Sequence, residues 1–158
     1  MNNYTPSDKI IAFTKSWEKC ILHPYPDATG TWTIGHGNTF YEDGTPVKAT
    51  DSAILQDRAD SLFNFVYNKF GKDVLGLLKV QVSQNQYDAL CDFDYNKGTS
   101  RLSTSTLLRV INKNPNDASI TSHFLEWNKS NGVVLKGLVE RSKDNADIYV
   151  KGIYVNHK

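Results

Sequence analysis

At 158 residues and 39% hydrophobic, the chain can bury one sizeable core, or two small lobes that share a long element. A formal net charge of +1 argues against a dedicated nucleic-acid binder, without excluding a glycan or polyanionic substrate. No apolar run reaches the length of a membrane span, so membrane insertion is not expected. The opening MNNYTPSDKI lacks the apolar stretch of a signal peptide, which predicts a product kept in the cytoplasm unless something else releases it.

Residues 7–18 read as a helix. Pro6 and Ser7 supply the start, and Ile10, Phe13, Trp17 and Ile21 recur at near-helical spacing. His23-Pro24 breaks the pattern, because proline disfavours the helical region for the residue before it. Glu18 therefore falls on the last helical turn. Cys20 and Cys91 have no metal-like spacing and are expected to be free, partly buried thiols.

From Tyr25 to Val47 the signals turn to β-structure. Threonine- and aromatic-rich pieces at 31–34, 38–41 and 45–48 alternate with the turn compositions DATG, GHGN and EDGTP. A sheet of two or three such strands needs a helix to pack on. Thr50 or Asp51 then opens the longest helix, to about Phe70, with Ala53, Ile54, Ala59, Leu62, Phe63, Val66 and Phe70 as its stripe and Gly71 as a left-handed cap. Ser83 and Gln86 form a capping box before a helix that ends at Gly98. Further helices are expected at about 104–112, 116–128 and 138–150. The reading is one α+β domain over 1–158: a β-containing N-lobe over about 1–50, a bridging helix over about 51–70 and a helical C-lobe over about 71–158.

Eight residues separate Glu18 from Asp27, and five separate Asp27 from Thr33. Cleaving a bond between two sugars needs two carboxyl groups in different states. One stays protonated in apolar surroundings and donates to the leaving oxygen; the other stays ionised and directs water or stabilises positive charge on the ring. Glu18, beside Trp17 at the end of an apolar helix, suits the first role. Asp27, in a polar loop with Thr29 and Gly30, suits the second, and the Thr33 hydroxyl suits a water partner. Seventeen acids provide chance pairs at many spacings, so spacing by itself does not decide between this reading and plain surface charge.

The register of Glu18, Leu22, Tyr25, Asp27, Gly30, Thr33, Ile34, Gly35, Gly37, Asn38 and Thr39 resembles the signature of phage-type lysozymes, glycoside hydrolase family 24. The likeness extends through residues 84–98, 105–112, 124–128 and 137–149, and so over nearly the whole chain. It implies a lysozyme-like fold and a muramidase that hydrolyses the β-1,4 bond between N-acetylmuramic acid and N-acetylglucosamine in peptidoglycan, with inversion. Glu18 would be the acid, Asp27 the stabilising carboxylate and Thr33 the water partner. Asn38, Thr39, Tyr95 and Asn96 would line the glycan cleft, and Arg141 would orient the acid. The resemblance also implies a monomer that needs no cofactor, no metal and no nucleic acid, and a separate holin-like, membrane-permeabilising partner. Lys19, Pro24, His36, Glu140 and Asn145 depart from the family pattern; Lys19 replaces a glycine, and Asn145 an acid often found past Arg141.

His23, Asp27, His36 and Glu42 can be drawn as a metal set, but their spacing fits no zinc or iron pattern. Trp17 and Trp127 sit on apolar helical stripes and read as core, while Trp32 alternates with Thr31 and Thr33 and fits either core or sugar stacking. Tyr95 continues an apolar stripe, so it too fits core or cleft. Two other functions fit the same residues: a wall-binding module that has lost catalysis, and a lytic transglycosylase, which uses one essential glutamate and leaves 1,6-anhydro ends.

Overall fold

The computed structural model describes residues 2–158. Helix α1 runs Asp8–Trp17, capped by the Ser7 hydroxyl, which accepts from the Ile10 N–H at 3.3 Å. The chain leaves the helix at Glu18, whose backbone is extended (φ −96°, ψ 144°). Glu18 is thus the residue that ends the helix rather than part of its last turn. Ile21 does not continue the helical face. Ile21–Pro26 instead forms strand β1, paired antiparallel with β2, Trp32–Gly35. The same X-Pro preference that breaks a helix favours extended His23 and Tyr25, and a two-stranded sheet tolerates Pro24 and Pro26 on its open edge.

The expected strands at 38–41 and 45–48 are only isolated bridges, Ile34 to Asn38 and Phe40 to Pro46. Between them Asp43 accepts from the Thr45 N–H and hydroxyl at 2.9 and 2.7 Å, a local turn that competes with strand pairing.

Helix α2 spans Gln56–Leu77, displaced from the expected 51–70 at both ends. At its start, the Asp51 carboxylate is taken by the Lys48 N–H and the Tyr41 hydroxyl, both at 2.8 Å, and the Ile54 N–H is bonded to Leu22 O at 2.8 Å. Those bonds hold residues 51–54 outside the helix. At the other end Gly71 is no cap but a buried residue inside α2. A Cβ on it would lie 2.5 Å from the Tyr87 hydroxyl and 2.9 Å from the Pro6 ring. Glycine is required here by close approach. Gly71→Ala is therefore expected to lower the melting temperature: the clash costs about 1–3 kcal/mol, more than the roughly 1 kcal/mol of helix propensity gained. A melt at or above the parent's would show the packing to be looser than described.

Helix α3, Gln84–Lys97, has the expected capping box and ends at Gly98. It is the central element, packed against α1, α2 and α7, Lys136–Lys151. Between α3 and α7 the chain forms α4 (Thr99–Ser103), α5 (Thr106–Lys113), α6 (Ile120–Leu125) and a small hairpin, β3 (Lys129–Ser130) with β4 (Val133–Val134). Asn131 and Gly132 turn that hairpin with φ of 49° and 77°, the Asn-Gly signal of a tight turn, although the segment reads at first as a break between helices. The expected helix at 116–128 is only six residues long, because Asp117 draws the Ser119 N–H and hydroxyl into a turn ahead of it.

Two apolar clusters result. The larger joins Ile10, Phe13, Phe63, Tyr67, Val74, Tyr87, Leu90, Phe93, Leu107 and Phe124 among others; the smaller holds Ile34, Val47 and Leu62. Helix α2 contributes to both, joining the β-containing lobe to the helical one. Although α1 comes first in the chain, its Ile10 and Phe13 belong to the larger, helical cluster. Past Gly152, the tail returns across α1. Tyr154 donates to Asp88 at 2.7 Å, Asn156 to the Ser16 hydroxyl at 2.7 Å and Lys158 to Ser16 O at 2.7 Å.

Candidate active site

A cleft of about 430 Å³ opens beside Glu18, lined also by Gly37, Asn38, Thr39, Phe40, Val66, Phe70, Tyr95 and Asn96. The segment that follows β2 supplies one wall, α2 a second and the end of α3 a third. Asn38, Thr39, Tyr95 and Asn96 thus face one space with Glu18. Phe40, Val66 and Phe70 were not singled out in the sequence, where they read as stripe or strand residues. Tyr95 serves in both ways considered for it: its ring packs on Phe63, Tyr67 and Phe70, and its hydroxyl donates to His36 O at 3.1 Å, tying α3 to the opposite wall. At Gly37 (φ +91°) a side chain would enter the cleft, 3.8 Å from Glu18 Oε2 and 3.9 Å from the Tyr95 hydroxyl.

The two carboxyls are shifted in opposite directions. Burial raises the pKa of Glu18 above the ordinary carboxylate value, and Arg141 opposes the rise by charge and by hydrogen bond. Asp27 is lowered, first by the Thr29 hydroxyl and then by the N–H groups of Thr31 and Thr29. These three donors lie 2.7, 2.9 and 2.8 Å from Oδ1 and are supplied by the turn between β1 and β2. The unusual loop composition is therefore what lowers the Asp27 pKa.

Asp27 and Thr33 do not line the cleft itself; they stand on the β1–β2 hairpin. Tyr25, paired with Thr33 across the strands, links them to it: its phenol is raised first by burial and then by the charges of Asp27 and Glu18. Thr33 is buried, and its hydroxyl donates to Thr31 O at 2.9 Å. With that proton committed, Thr33 Oγ can only accept, so it would hold a water by one of the water's own O–H bonds.

Arg141 lies on α7 and is buried. Its Nη1 is 3.4 Å from Glu18 Oε1, while Nε and Nη2 bind the two oxygens of Asp92 at 3.0 and 2.8 Å. Asp92 was not anticipated. It stands one helical turn after Asp88 and off the stripe of Tyr87, Leu90 and Cys91, and it is buried because α3 is enclosed on every side from Tyr87 to Asp94, where an acid needs a partner.

Other expectations resolve locally. Lys19 does not adopt the left-handed backbone that its exchange for glycine raises as a concern, because among the described residues Asn131 is the non-glycine residue with positive φ. The residues drawn as a metal set are not gathered: His36 binds Asp60 at 2.7 Å, Glu42 holds Arg58 at 2.6 and 2.7 Å, and His23 is exposed. Cys20 is exposed and Cys91 buried, both free. Trp17 and Trp127 are half-buried against the helical core, and Trp32 is exposed.

Residues 15–145 match the family model described as Phage lysozyme. The chain belongs to the phage lysozyme family. Two relatives from phages are named endolysins. That of Bacillus phage B103 is 37% identical over 121 residues, covering 77% of this chain and 44% of the relative. That of Acyrthosiphon pisum secondary endosymbiont phage 1 is 30% identical, covering 85% of this chain and 90% of the relative. The chain thus spans less than half of one relative and nearly all of the other. Among solved structures, the endolysin from Escherichia coli O157:H7 phage FAHEc1 superposes with a TM-score of 0.87 at 30% identity, covering 98% of each chain. No helix among the described residues is long and apolar enough to cross a membrane.

Proposed function

We propose that this chain is a peptidoglycan hydrolase, a muramidase that cleaves the β-1,4 bond between N-acetylmuramic acid and N-acetylglucosamine. The observation that carries the reading is the pairing of a half-buried carboxyl on the cleft wall, raised in pKa by burial, with a carboxyl in the adjoining turn that local hydrogen bonds lower. Glu18 protonates the glycosidic oxygen as the bond breaks. Asp27 faces the positive charge that develops on the ring and, with Thr33, draws a water to the opposite side. In that arrangement the water attacks away from the leaving group, and the anomeric configuration inverts. Asn38, Thr39, Tyr95 and Asn96 hold the glycan, with Phe40 and Phe70 as apolar surfaces for the sugar faces. Release to the wall rests on a membrane-permeabilising partner.

Activity should show a bell-shaped pH dependence. It falls at low pH as Asp27 takes up a proton, below the usual carboxylate range, and falls at high pH as Glu18 loses one, above that range. Digestion of purified peptidoglycan, followed by mass spectrometry, tests the reaction. Reducing muramic ends carrying one added water are expected. Fragments ending in 1,6-anhydromuramic acid would replace this reading with a lytic transglycosylase, and binding without fragments would replace it with a wall-binding module.

A further inference from the structure

Arg141 divides its guanidinium unequally. Two nitrogens grip Asp92 at 3.0 and 2.8 Å, while the third reaches Glu18 only at 3.4 Å. Asp92 has no solvent exposure, and each of its oxygens takes one more bond: from the Thr14 hydroxyl of α1 at 2.7 Å and from the Asn145 amide of α7 at 2.8 Å. Helices α1, α3 and α7 together build this cage.

We infer that Asp92 is a positioning residue for the acid, taking up the fork and the charge of Arg141 so that Glu18 meets a single long contact. The inference rests on the reading of Glu18 as the general acid. A fork-to-fork pair between Arg141 and Glu18 would hold Glu18 ionised and leave it no proton to give. With Asp92 in the fork, Arg141 still fixes the glutamate's position but presents it with a compensated cation. The other charged and titratable groups facing this cluster are Lys97 and Arg101 from α3 and α4, the Cys91 thiol of α3, His36 from the segment after β2, and the phenols of Tyr25, Tyr67 and Tyr95. The acids acting on Arg141 are Asp92 and Glu18.

The test compares the parent, the near-isosteric Asp92→Asn and the double exchange Asp92→Asn with Asn145→Asp. The double exchange moves the carboxylate across its own hydrogen bond, to a position one helical turn from Arg141. Each is followed by the pH–rate profile of wall lysis and by ¹³C NMR titration of the Glu18 carboxyl. In folded Asp92→Asn the alkaline limb and the Glu18 titration should both move to lower pH, so that the rate at pH 7 drops several-fold against the rate at pH 5. The double exchange should restore both. Unchanged Glu18 titration in folded Asp92→Asn overturns the inference. So does a double exchange that folds but stays shifted, or failure of both variants to fold, which would assign Asp92 to stability alone. The NMR titration reads this coupling whether or not Glu18 is the acid; a titration that shifts without any movement of the rate limb would instead count against the reading of Glu18.

Discussion

Glu18→Gln is expected to lower the wall-lysing rate by about 10²–10⁴-fold, the usual worth of general acid–base help. The amide keeps the shape of the carboxyl and can still meet Arg141 through its oxygen, but it has no proton to give a leaving sugar. Melting should not fall. The folded state raises the Glu18 pKa, so its contribution to stability is fully present below the unfolded value and is lost as pH rises through the folded one. At neutral pH the charged side chain is therefore a burden, and a neutral replacement relieves it. Asp27→Asn should also lose most activity, because the charge held by its own turn is removed. Thr33→Ala should lose rate while retaining wall binding. A Glu18→Gln protein that keeps more than about a tenth of the parental rate would sink the catalytic reading, and His23 to Gly37 would then only turn the chain.

Arg141→Ala should have the largest effect on stability. Removing one partner of a buried ion pair leaves the other uncompensated, which commonly costs about 3–5 kcal/mol, or on the order of 10 °C in melting temperature for a chain of this size. The orphan is Asp92, which is fully buried. Burial pushes its carboxyl up, and Arg141 is the first influence holding it below the ordinary value. In the parent, this lowered acid contributes stability above its unfolded pKa and loses it as pH falls through the folded one. In the variant only the Asn145 and Thr14 hydrogen bonds still oppose burial, so Asp92 protonates more readily. The deficit against the parent should be widest at pH 7 and narrow toward pH 4. Thermal melts at the two pH values decide it: an equal deficit at both would mean that lost packing, not the unpaired charge, carries the cost.

The helices that were legible in the sequence were those whose ends carry their own chemistry. Ser7 and Ser83 start α1 and α3 because their hydroxyls satisfy N–H groups of the first turn, and Gly98 stops α3. The bounds of α2 were illegible because they are set from outside. Leu22 and Tyr41 hold residues 51–54 off the helix, and Gly71 answers to Tyr87 and Pro6 rather than to its own backbone. The candidate site divides along the same line. Glu18, Asp27 and Thr33 lie in one stretch whose turn bonds are local, so their pattern could be read along the chain. Asp92 and Thr14 are 78 residues apart, and Asp92 and Arg141 are 49. Their relation exists only once three helices have packed, and each alone looks like an ordinary surface residue or an odd one out in a stripe.

The tail that crosses α1 bears on when the cleft is completed. Ser16 is held by Asn156 and Lys158, 140 and 142 residues away, and Ser7 by Asp88, 81 away. Contacts this distant in sequence form late, because a long loop must close before any of them can form. A nascent chain that has not yet reached residue 84 already holds Glu18, Asp27 and Thr33. It lacks the wall made by Tyr95 and Asn96, the guanidinium that steadies the acid, and the surface on which α1 comes to rest. Synthesis itself thus separates the appearance of the Glu18 side of the cleft from that of the α3 and α7 residues that complete it.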